Sequence, residues 1–175
     1  MKRIYRIGHS NDIHPLVKGR KLVLGGIYIP YEKGLLGHSD GDAVLHALAE
    51  AIIGALALGD IGDMFPDTDL KYKDIESKYF VEEVYKIMDS LGYEINNVDI
   101  IIYLEEPHLK LYKPLMRENI ASLLHTNIDN VNVKATRKEG MDAIGRGEAI
   151  EAEAVVMLKI KDMVKLWESF LKYFQ

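Results

Sequence analysis

The stretch His38–His46 constrains this chain more than any other part of its sequence. It reads His-Ser-Asp-Gly-Asp-Ala-Val-Leu-His, so two imidazoles, two carboxylates and a hydroxyl lie within nine positions. Asp42 is a suitable N-cap for a helix that continues to about residue 58, because apolar residues follow it at helical spacing. The stretch therefore predicts a cluster of polar groups at the start of a helix whose body is apolar.

A second polar segment, Gly8–His14, lies upstream and contains Asp12 and His14. In an extended segment, residues i and i+2 point to the same side, so this carboxylate and imidazole converge. With His46 they make three O/N ligands, and three protein ligands with one open position are typical of catalytic zinc. The chain has no cysteine, which limits zinc to such ligands. Alternatively, the Asp-x-His pair lies in a surface loop and His46 is a hydrogen-bonded core residue.

Further polar groups beside these ligands suit a phosphate. His38 and Ser39 precede the helix, where a ring N–H, a hydroxyl and backbone amides can bind phosphate oxygens. Asp40 or Asp42 can orient a ligand histidine by accepting its free N–H. The alternatives are that Ser39 only caps the loop and that Asp42 only caps the helix.

Two other charged segments fit the same chemistry. The loop 59–69 carries carboxylates that can hold a cation or accept sugar hydroxyls, although its composition alone favours a solvated loop. Lys134–Glu139 leaves the end of a predicted strand with three cations, a hydroxyl and a carboxylate. The cations suit a diphosphate, and Glu139 suits a Mg²⁺ that bridges phosphates. Taken without the rest, this segment is only a charged loop.

The hydrophobic patterns predict an α+β fold, a two-layer sandwich in which helices cover one face of a mixed β-sheet. The predicted strands are 2–7, 98–104, 131–136 and 149–160, with a hairpin over 21–30 that turns at Gly25-Gly26. The predicted helices are 42–58, 75–91 and 112–124, and the predicted loops are 8–20, 31–41, 59–69 and 137–148. The chain is expected to form one domain, 1–160, extended by an amphipathic helix within 161–175. That helix suits core cover or an oligomer contact better than a membrane surface.

Composition narrows the possible partners. The net charge of −5 disfavours a nucleic-acid-binding surface. No apolar run approaches the roughly 18 residues of a spanning helix, and the start of the sequence lacks the pattern of a signal peptide. A small-molecule substrate, no membrane and no nucleic acid, and a cytoplasmic location are therefore expected.

Taken together, the segments resemble one family, the 2-C-methyl-D-erythritol 2,4-cyclodiphosphate synthases of the non-mevalonate isoprenoid pathway. The matching segments follow family order over residues 4–160, which makes a chance match implausible. They are Asp12-Ile-His14, Ile29–Leu36, His38–Asp42 with His46, Ala57–Gly62, Phe65–Asp69, Gly92-Tyr93, Asn97–Asp99, Asn130–Thr136 and Gly145–Glu148.

The resemblance implies a homotrimer with active sites between subunits and a cyclising, CMP-forming phosphorus–oxygen lyase. In the implied reaction, the 2-phosphate of 4-CDP-2-C-methyl-D-erythritol 2-phosphate attacks the β-phosphorus, and the cyclic diphosphate forms as CMP leaves. Zinc, or another divalent transition metal, is expected on Asp12, His14 and His46, and Mg²⁺ or Mn²⁺ on Glu139. The residues expected to act in catalysis are His38, Arg137 and Glu139.

The resemblance also implies where the substrate lies. Its erythritol part is expected against residues 60–62 and a lid at 65–69, and its cytidine part against 104–110 and 136–138. The expected substrate-binding residues are Asp12, His14, His38, Ser39, Asp60, Ile61, Gly62, Phe65, Asp67, Asp69, Leu104, Pro107, Lys110, Thr136, Arg137, Lys138 and Arg146.

Four departures from the family pattern stand out. Ser10 replaces the second glycine of a Gly-x-Gly before Asp-x-His. Arg137 replaces a threonine thought to steady the transition state through a phosphate contact; arginine can bind phosphate bidentately, with different geometry. Ala143 replaces a cavity aromatic, which bears on any isoprenoid diphosphate held along the trimer axis near Arg146. The terminal helix extends past the usual end of the family.

Two other functions compete with the cyclising enzyme. One is a metal-dependent phosphohydrolase on the same scaffold, with water in place of the internal phosphate. The other is a non-catalytic binder of metal or isoprenoid diphosphate, suggested by Arg137 and Ala143. Formation of cyclic diphosphate plus CMP would distinguish the cyclising enzyme from both of these alternatives.

Overall fold

The computed structural model describes residues 4–37, 39–66, 70–72 and 75–161. The strands in this part of the chain are β1 (Tyr5–Lys18), β2 (Leu22–Leu24), β3 (Ile27–Ile29), β4 (Lys33–Leu35), β5 (Tyr93–Tyr103), β6 (Val131–Thr136) and β7 (Ala149–Ile160). The α-helices are α1 (Ala43–Leu56), α2 (Ile61–Met64), α3 (Lys78–Ser90), α4 (Lys113–Leu123) and α5 (Asp142–Gly145), and 3-10 turns lie at Leu70–Tyr72 and Ile128–Asn130. None of these helices combines the length and apolar character needed to cross a membrane.

Five strands form one mixed sheet in the order β4-β1-β7-β5-β6. Only β5 and β6 run parallel; the other neighbours are antiparallel. β2 and β3 form a separate hairpin that turns at Gly25-Gly26, where φ values of 60° and 76° suit glycine. The mixed sheet and this turn confirm two predictions.

Helix α1 lies across β1 and β7, with α3 beside it and α4 against β6. Its small residues let it approach the sheet closely. At Gly8 of β1, a Cβ atom would lie 1.8 Å from the carbonyl oxygen of Ala51 in the helix. Side chains that alternate along β7 complete this core: Ile150, Ala152, Ala154, Val156 and Leu158 are all buried.

The opposite side of β1, β7, β5 and β6 is not covered by a helix of the described residues, and we call it the open face. It carries exposed apolar side chains, among them Ile7 (69% exposed), Ile13 (49%) and Val155 (39%). Polar pairs lie between them, such as His9 Nε2 with Glu153 Oε1 at 2.9 Å and Asn11 with Glu151 Oε1 at 2.9 Å. The helix-covered face and the open face therefore differ sharply in polarity.

Several predicted boundaries are wrong. The predicted loop 8–20 is mostly strand, because β1 runs to Lys18 and pairs with β7 from Tyr5 to Pro15. β5 begins five residues before the predicted 98, and the predicted loops 31–41, 59–69 and 137–148 contain β4, α2 and α5. Strands 131–136 and 149–160 are confirmed at both ends. The predicted terminal helix lies outside the described residues.

Candidate metal and phosphate site

Three side chains from two elements converge beneath α1. Asp12 and His14 lie two residues apart on β1 and point to the helix-covered face, and His46 lies in the first turn of α1. Asp12 Oδ2 lies 2.9 Å from His14 Nε2 and 3.9 Å from His46 Nδ1. One ligand atom from each residue lies within 4.8 Å of the others. We call this set the triad; the structure confirms that the three predicted ligands lie together.

Two atoms of the triad lie 2.9 Å apart but are not aligned for a hydrogen bond with each other or with any other described residue. They are Asp12 Oδ2 and His14 Nε2, and both are buried. Leaving a buried polar atom unpaired costs about 1–3 kcal/mol, so such atoms are rare in folded proteins. A divalent cation between them satisfies both lone pairs. Two imidazoles and one carboxylate, with room for a further ligand, fit zinc or a similar ion.

The environment of each imidazole shifts its pKa. The contact with the Asp12 carboxylate raises the pKa of His14. Burial lowers the pKa of His46. A lowered pKa keeps His46 neutral, which is the form that binds a metal.

Ser39 holds the far side of the His46 ring. Its Oγ lies 3.0 Å from His46 Nε2, and the serine is only 4% exposed. Because Nε2 is engaged by the hydroxyl, Nδ1 is the nitrogen that faces Asp12. Orienting a ligand histidine in this way is typical of metal sites. This contact was not predicted, although Ser39 and His46 lie only 7 positions apart in the sequence. Ser39 was expected to bind phosphate instead, and that contact stays a prediction.

The carboxylates predicted to orient a histidine have other partners. Both oxygens of Asp42 accept backbone N–H groups, from Gly25 and Gly26 in the β2–β3 turn and from Val44 and Leu45 in α1. Asp40 accepts hydrogen bonds from the backbone and hydroxyl of Ser77. The prediction that these aspartates support a histidine is therefore wrong, and the helix-cap alternative for Asp42 is confirmed.

Asp42 is fully buried, and burial raises its pKa to about 7, against the opposing pull of its amide donors. No other described carboxylate is buried so completely. The Asp42 side chain links the turn of the β2–β3 hairpin to the start of α1. This link fixes the first turn of the helix, which carries His46.

A cavity of about 280 Å³ opens beside His46. Its walls are Ser39, His46, Ile61, Gly62, Phe65, Tyr72 and Phe80. The Phe80 ring packs edge-on against the His46 ring, with centroids 5.3 Å apart. Three of the residues predicted for the erythritol part, Ile61, Gly62 and Phe65, thus line a space next to the triad. The sequence interpretation missed Phe80 because it falls in the apolar stripe of α3, where core packing is the usual explanation.

Other members of the predicted erythritol site lie elsewhere or outside the description. Asp60 caps α2 by accepting the N–H of Asp63 at 2.9 Å. His38, Asp67 and Asp69 fall outside the described residues, so their predicted contacts stay predictions.

The predicted cytidine and second-cation residues form another cluster, at the ends of β5 and β6. Leu104 is buried and its N–H donates to the Thr136 carbonyl. Lys138 Nζ lies 4.4 Å from the centre of the Tyr103 ring. Glu139 is exposed and has a positive φ of 53°. Pro107 is half-buried and Lys110 exposed in the segment after β5. Their binding roles stay predictions.

Strand register places this cluster relative to the triad. Ile13 pairs with Glu151, Glu151 with Tyr103, and Tyr103 with Thr136. Thr136 is therefore three strands from Ile13, about 14 Å across the sheet. Thr136 also lies on the open face, whereas Asp12 and His14 point to the helix-covered face. The structure brings the triad together but does not bring the two clusters together within one chain.

Arg146 directly follows α5. Its guanidinium pairs with Glu148, with Nη2 and Oε2 3.0 Å apart, and its side chain is 56% exposed. The predicted contact with an isoprenoid diphosphate stays a prediction.

Comparison with known proteins gives a consistent result. The YgbB family model matches residues 5–159. A 2-C-methyl-D-erythritol 2,4-cyclodiphosphate synthase of Finegoldia magna is 54% identical over 158 residues, covering 90% of this chain and 99% of that protein. A solved structure of such a synthase with CDP bound has a TM-score of 0.82 and 34% identity, covering 88% of this chain and 100% of that one. The bifunctional IspDF of Campylobacter jejuni has a TM-score of 0.86 and 39% identity; 90% of this chain matches 43% of that larger chain.

Proposed function

This chain belongs to the 2-C-methyl-D-erythritol 2,4-cyclodiphosphate synthase family, and from that premise we propose how its residues carry out the reaction. Like its relatives, it forms the cyclodiphosphate in isoprenoid precursor biosynthesis. We propose that it acts as a CMP-forming phosphorus–oxygen lyase on 4-CDP-2-C-methyl-D-erythritol 2-phosphate. The observation that carries the mechanism is the pair of buried, unpartnered atoms Asp12 Oδ2 and His14 Nε2.

The proposed reaction needs no protein nucleophile. An oxygen of the substrate's own 2-phosphate forms a new bond to the β-phosphorus. The bond from the β-phosphorus to the bridging oxygen breaks, and that oxygen leaves with CMP. The task of the protein is to hold two anionic phosphates in line and to reduce their repulsion.

The triad Asp12, His14 and His46 would hold zinc or a related ion, and Glu139 would hold Mg²⁺ or Mn²⁺ together with substrate phosphates. Bound there, such ions neutralise phosphate charge and polarise the P–O bonds. Ser39 keeps His46 Nδ1 turned toward Asp12. Phe65 and Phe80 form an apolar wall beside His46 that excludes water from this side of the site. Exclusion of water favours attack by the internal phosphate over hydrolysis.

We propose that two copies of the chain build each active site. The triad points to the helix-covered face, whereas Thr136 and Lys138 lie on the open face, so one copy cannot present both clusters to one substrate. Exposed apolar residues on the open face, such as Ile7 and Ile13, suit burial against another copy. A closed homotrimer satisfies every copy equally and gives three such sites.

The test is a ³¹P NMR assay of the purified chain with the proposed substrate and both cations. Cyclic diphosphate with an equal amount of CMP supports the proposal. Open-chain hydrolysis products would identify a phosphohydrolase, and no turnover would leave only a binder.

Sedimentation tests the assembly separately. One chain has a mass of 19.9 kDa. We expect an active species of three times that mass. An active monomer would contradict the assignment of the site to two copies.

A further inference from the structure

We propose that Glu105 is a positioning residue that holds Arg137 ready to bind a phosphate of the nucleoside diphosphate. Glu105 lies just past the end of β5, and Arg137 just past the end of β6. Glu105 Oε2 accepts a hydrogen bond from Arg137 Nε at 2.9 Å. The inference rests on the proposed function, because it names how that site grips its substrate.

The two side chains differ in exposure, and that difference shows which of them positions the other. The side chain of Glu105 is 12% exposed, whereas that of Arg137 is 53% exposed. The carboxylate is therefore the fixed member and the guanidinium the member that reaches solvent. A pair that served only to link two surface loops would not need one partner so deeply placed.

The contact leaves the useful edge of the guanidinium available. Only Nε of Arg137 is engaged by Glu105, and the two terminal nitrogens have no hydrogen-bond partner among the described residues. A guanidinium with both terminal nitrogens on one edge matches two phosphate oxygens. With Nε held, the orientation of that edge is set before the ligand arrives, which lowers the entropy lost on binding.

The same carboxylate also fixes the backbone of this loop. Glu105 Oε1 accepts the N–H of Lys138 at 2.8 Å. The next residue, Glu139, has a positive φ of 53°, a backbone conformation that residues other than glycine rarely adopt. Glu105 therefore holds the arginine and the proposed ligand of the second cation in one arrangement. Arg137 and Glu139 flank the Lys138 N–H that Glu105 accepts, at the cluster where cytidine is expected.

The experiment separates these two arms. Glu105→Gln keeps an oxygen for the Lys138 N–H but turns an amide donor toward Arg137 Nε, so it breaks only the arginine arm. Arg137→Ala removes the phosphate contact itself. The matched control is Glu94→Gln, the same change at the other end of β5, where Glu94 pairs with Lys159 at 3.5 Å.

The readout is calorimetric binding of CDP and of cytidine to the full chain loaded with zinc. We expect Arg137→Ala to weaken CDP binding about 10- to 100-fold, the range of a charge-assisted hydrogen bond. We expect Glu105→Gln to weaken it about 3- to 10-fold, because the guanidinium remains but is not held. Cytidine binding should stay unchanged in both, and Glu94→Gln should bind both ligands normally.

The double variant decides between positioning and simple structural support. If Glu105 acts through Arg137, then adding Glu105→Gln to Arg137→Ala causes no further loss of CDP affinity. Additive losses, or equal losses for cytidine and CDP, would overturn the proposal. If Glu105→Gln does not fold, unchanged CDP binding by Arg137→Ala overturns it alone. A wild-type chain that binds CDP in this pattern but forms no cyclic product would refute the proposed function and leave this inference standing.

Discussion

Two aspartates thirty residues apart, Asp12 and Asp42, show opposite ways of using a carboxylate. Asp42 is fully buried, and its oxygens accept four backbone N–H groups. Asp12 Oδ2 is buried beside two imidazole nitrogens, at 2.9 and 3.9 Å, and accepts no backbone N–H of the described residues. The first arrangement ties a turn to a helix. The second leaves binding capacity unused by the fold.

This difference separates residues that fold the protein from residues that serve a ligand. A carboxylate whose two oxygens already accept four backbone N–H groups serves the donors of the fold and is not available to a ligand. A buried carboxylate that faces imidazoles instead of backbone donors has its charge balanced only when an imidazole is protonated or an ion is bound. Such a pair is retained where a bound ion repays the cost, so each aspartate should respond to substitution in its own way.

Asp12→Asn should cause the largest change, and only in activity. Loss of a charged ligand removes several kcal/mol of charge stabilisation, so turnover in the ³¹P NMR assay should fall about 1000-fold or more. Without metal, the variant should unfold at the same temperature as metal-free wild type or higher, because the new amide can donate a hydrogen bond to His14. The exposed Asp129 offers the matched Asp→Asn control, which should keep full turnover. A strongly destabilised Asp12→Asn chain would show that Asp12 belongs with the folding residues.

Asp42→Asn should give the reverse pattern. An amide places one donor against backbone N–H groups, so the free energy of unfolding should fall by about 3 kcal/mol. Urea unfolding followed by far-UV circular dichroism measures this loss. Turnover per folded molecule should change little at urea concentrations below the midpoint of unfolding. Unaltered stability would contradict the role assigned to Asp42.

Zinc should stabilise the wild-type chain and not Asp12→Asn. An ion that binds only the folded state adds about 2.7 kcal/mol at 100 times its dissociation constant, which is about 5–10 °C in melting temperature for a chain of this size. Calorimetric melting with zinc and with a chelator gives the shift. An equal shift in both proteins would place the ion outside the triad.

Ser39→Ala should have the smallest effect, on the affinity for the ion. Without its hydroxyl, the His46 ring loses the partner that fixes its orientation, so zinc should bind about tenfold more weakly. Competition with a chromophoric chelator measures the change. Ser90, exposed on α3, provides a Ser→Ala control that should leave zinc affinity as in wild type.

The sequence predicted best those elements whose local signals agreed with their tertiary surroundings. The alternation along β7 and the paired glycines of the β2–β3 turn each had one physical explanation. The three ligands of the triad were also predicted, because an i, i+2 pair on an extended chain and a histidine on the next helix can together supply the ligands of a catalytic zinc site.

Polar segments were harder to interpret. Residues 8–14 contain so many hydrogen-bonding side chains that they favoured a loop, yet pairing with β7 makes them part of the longest strand. The hydrogen-bond partner of His46 was predicted wrongly because carboxylates accept the N–H of a ligand histidine more often than a serine does. Only the structure shows that backbone amides and Ser77 already occupy those carboxylates. Phe80 was missed because an apolar stripe does not reveal which of its members borders a cavity.

The placement of the two clusters on opposite faces of the sheet has a genetic consequence. In the proposed two-copy site, a chain that lacks the triad and a chain that lacks both Arg137 and Glu139 each lose activity, but each keeps the half-site that the other has lost. Assembled together, they rebuild intact sites at junctions where both functional halves meet. Two loss-of-function alleles of this gene should therefore complement each other when expressed in one cell, whereas two alleles that damage the same half should not.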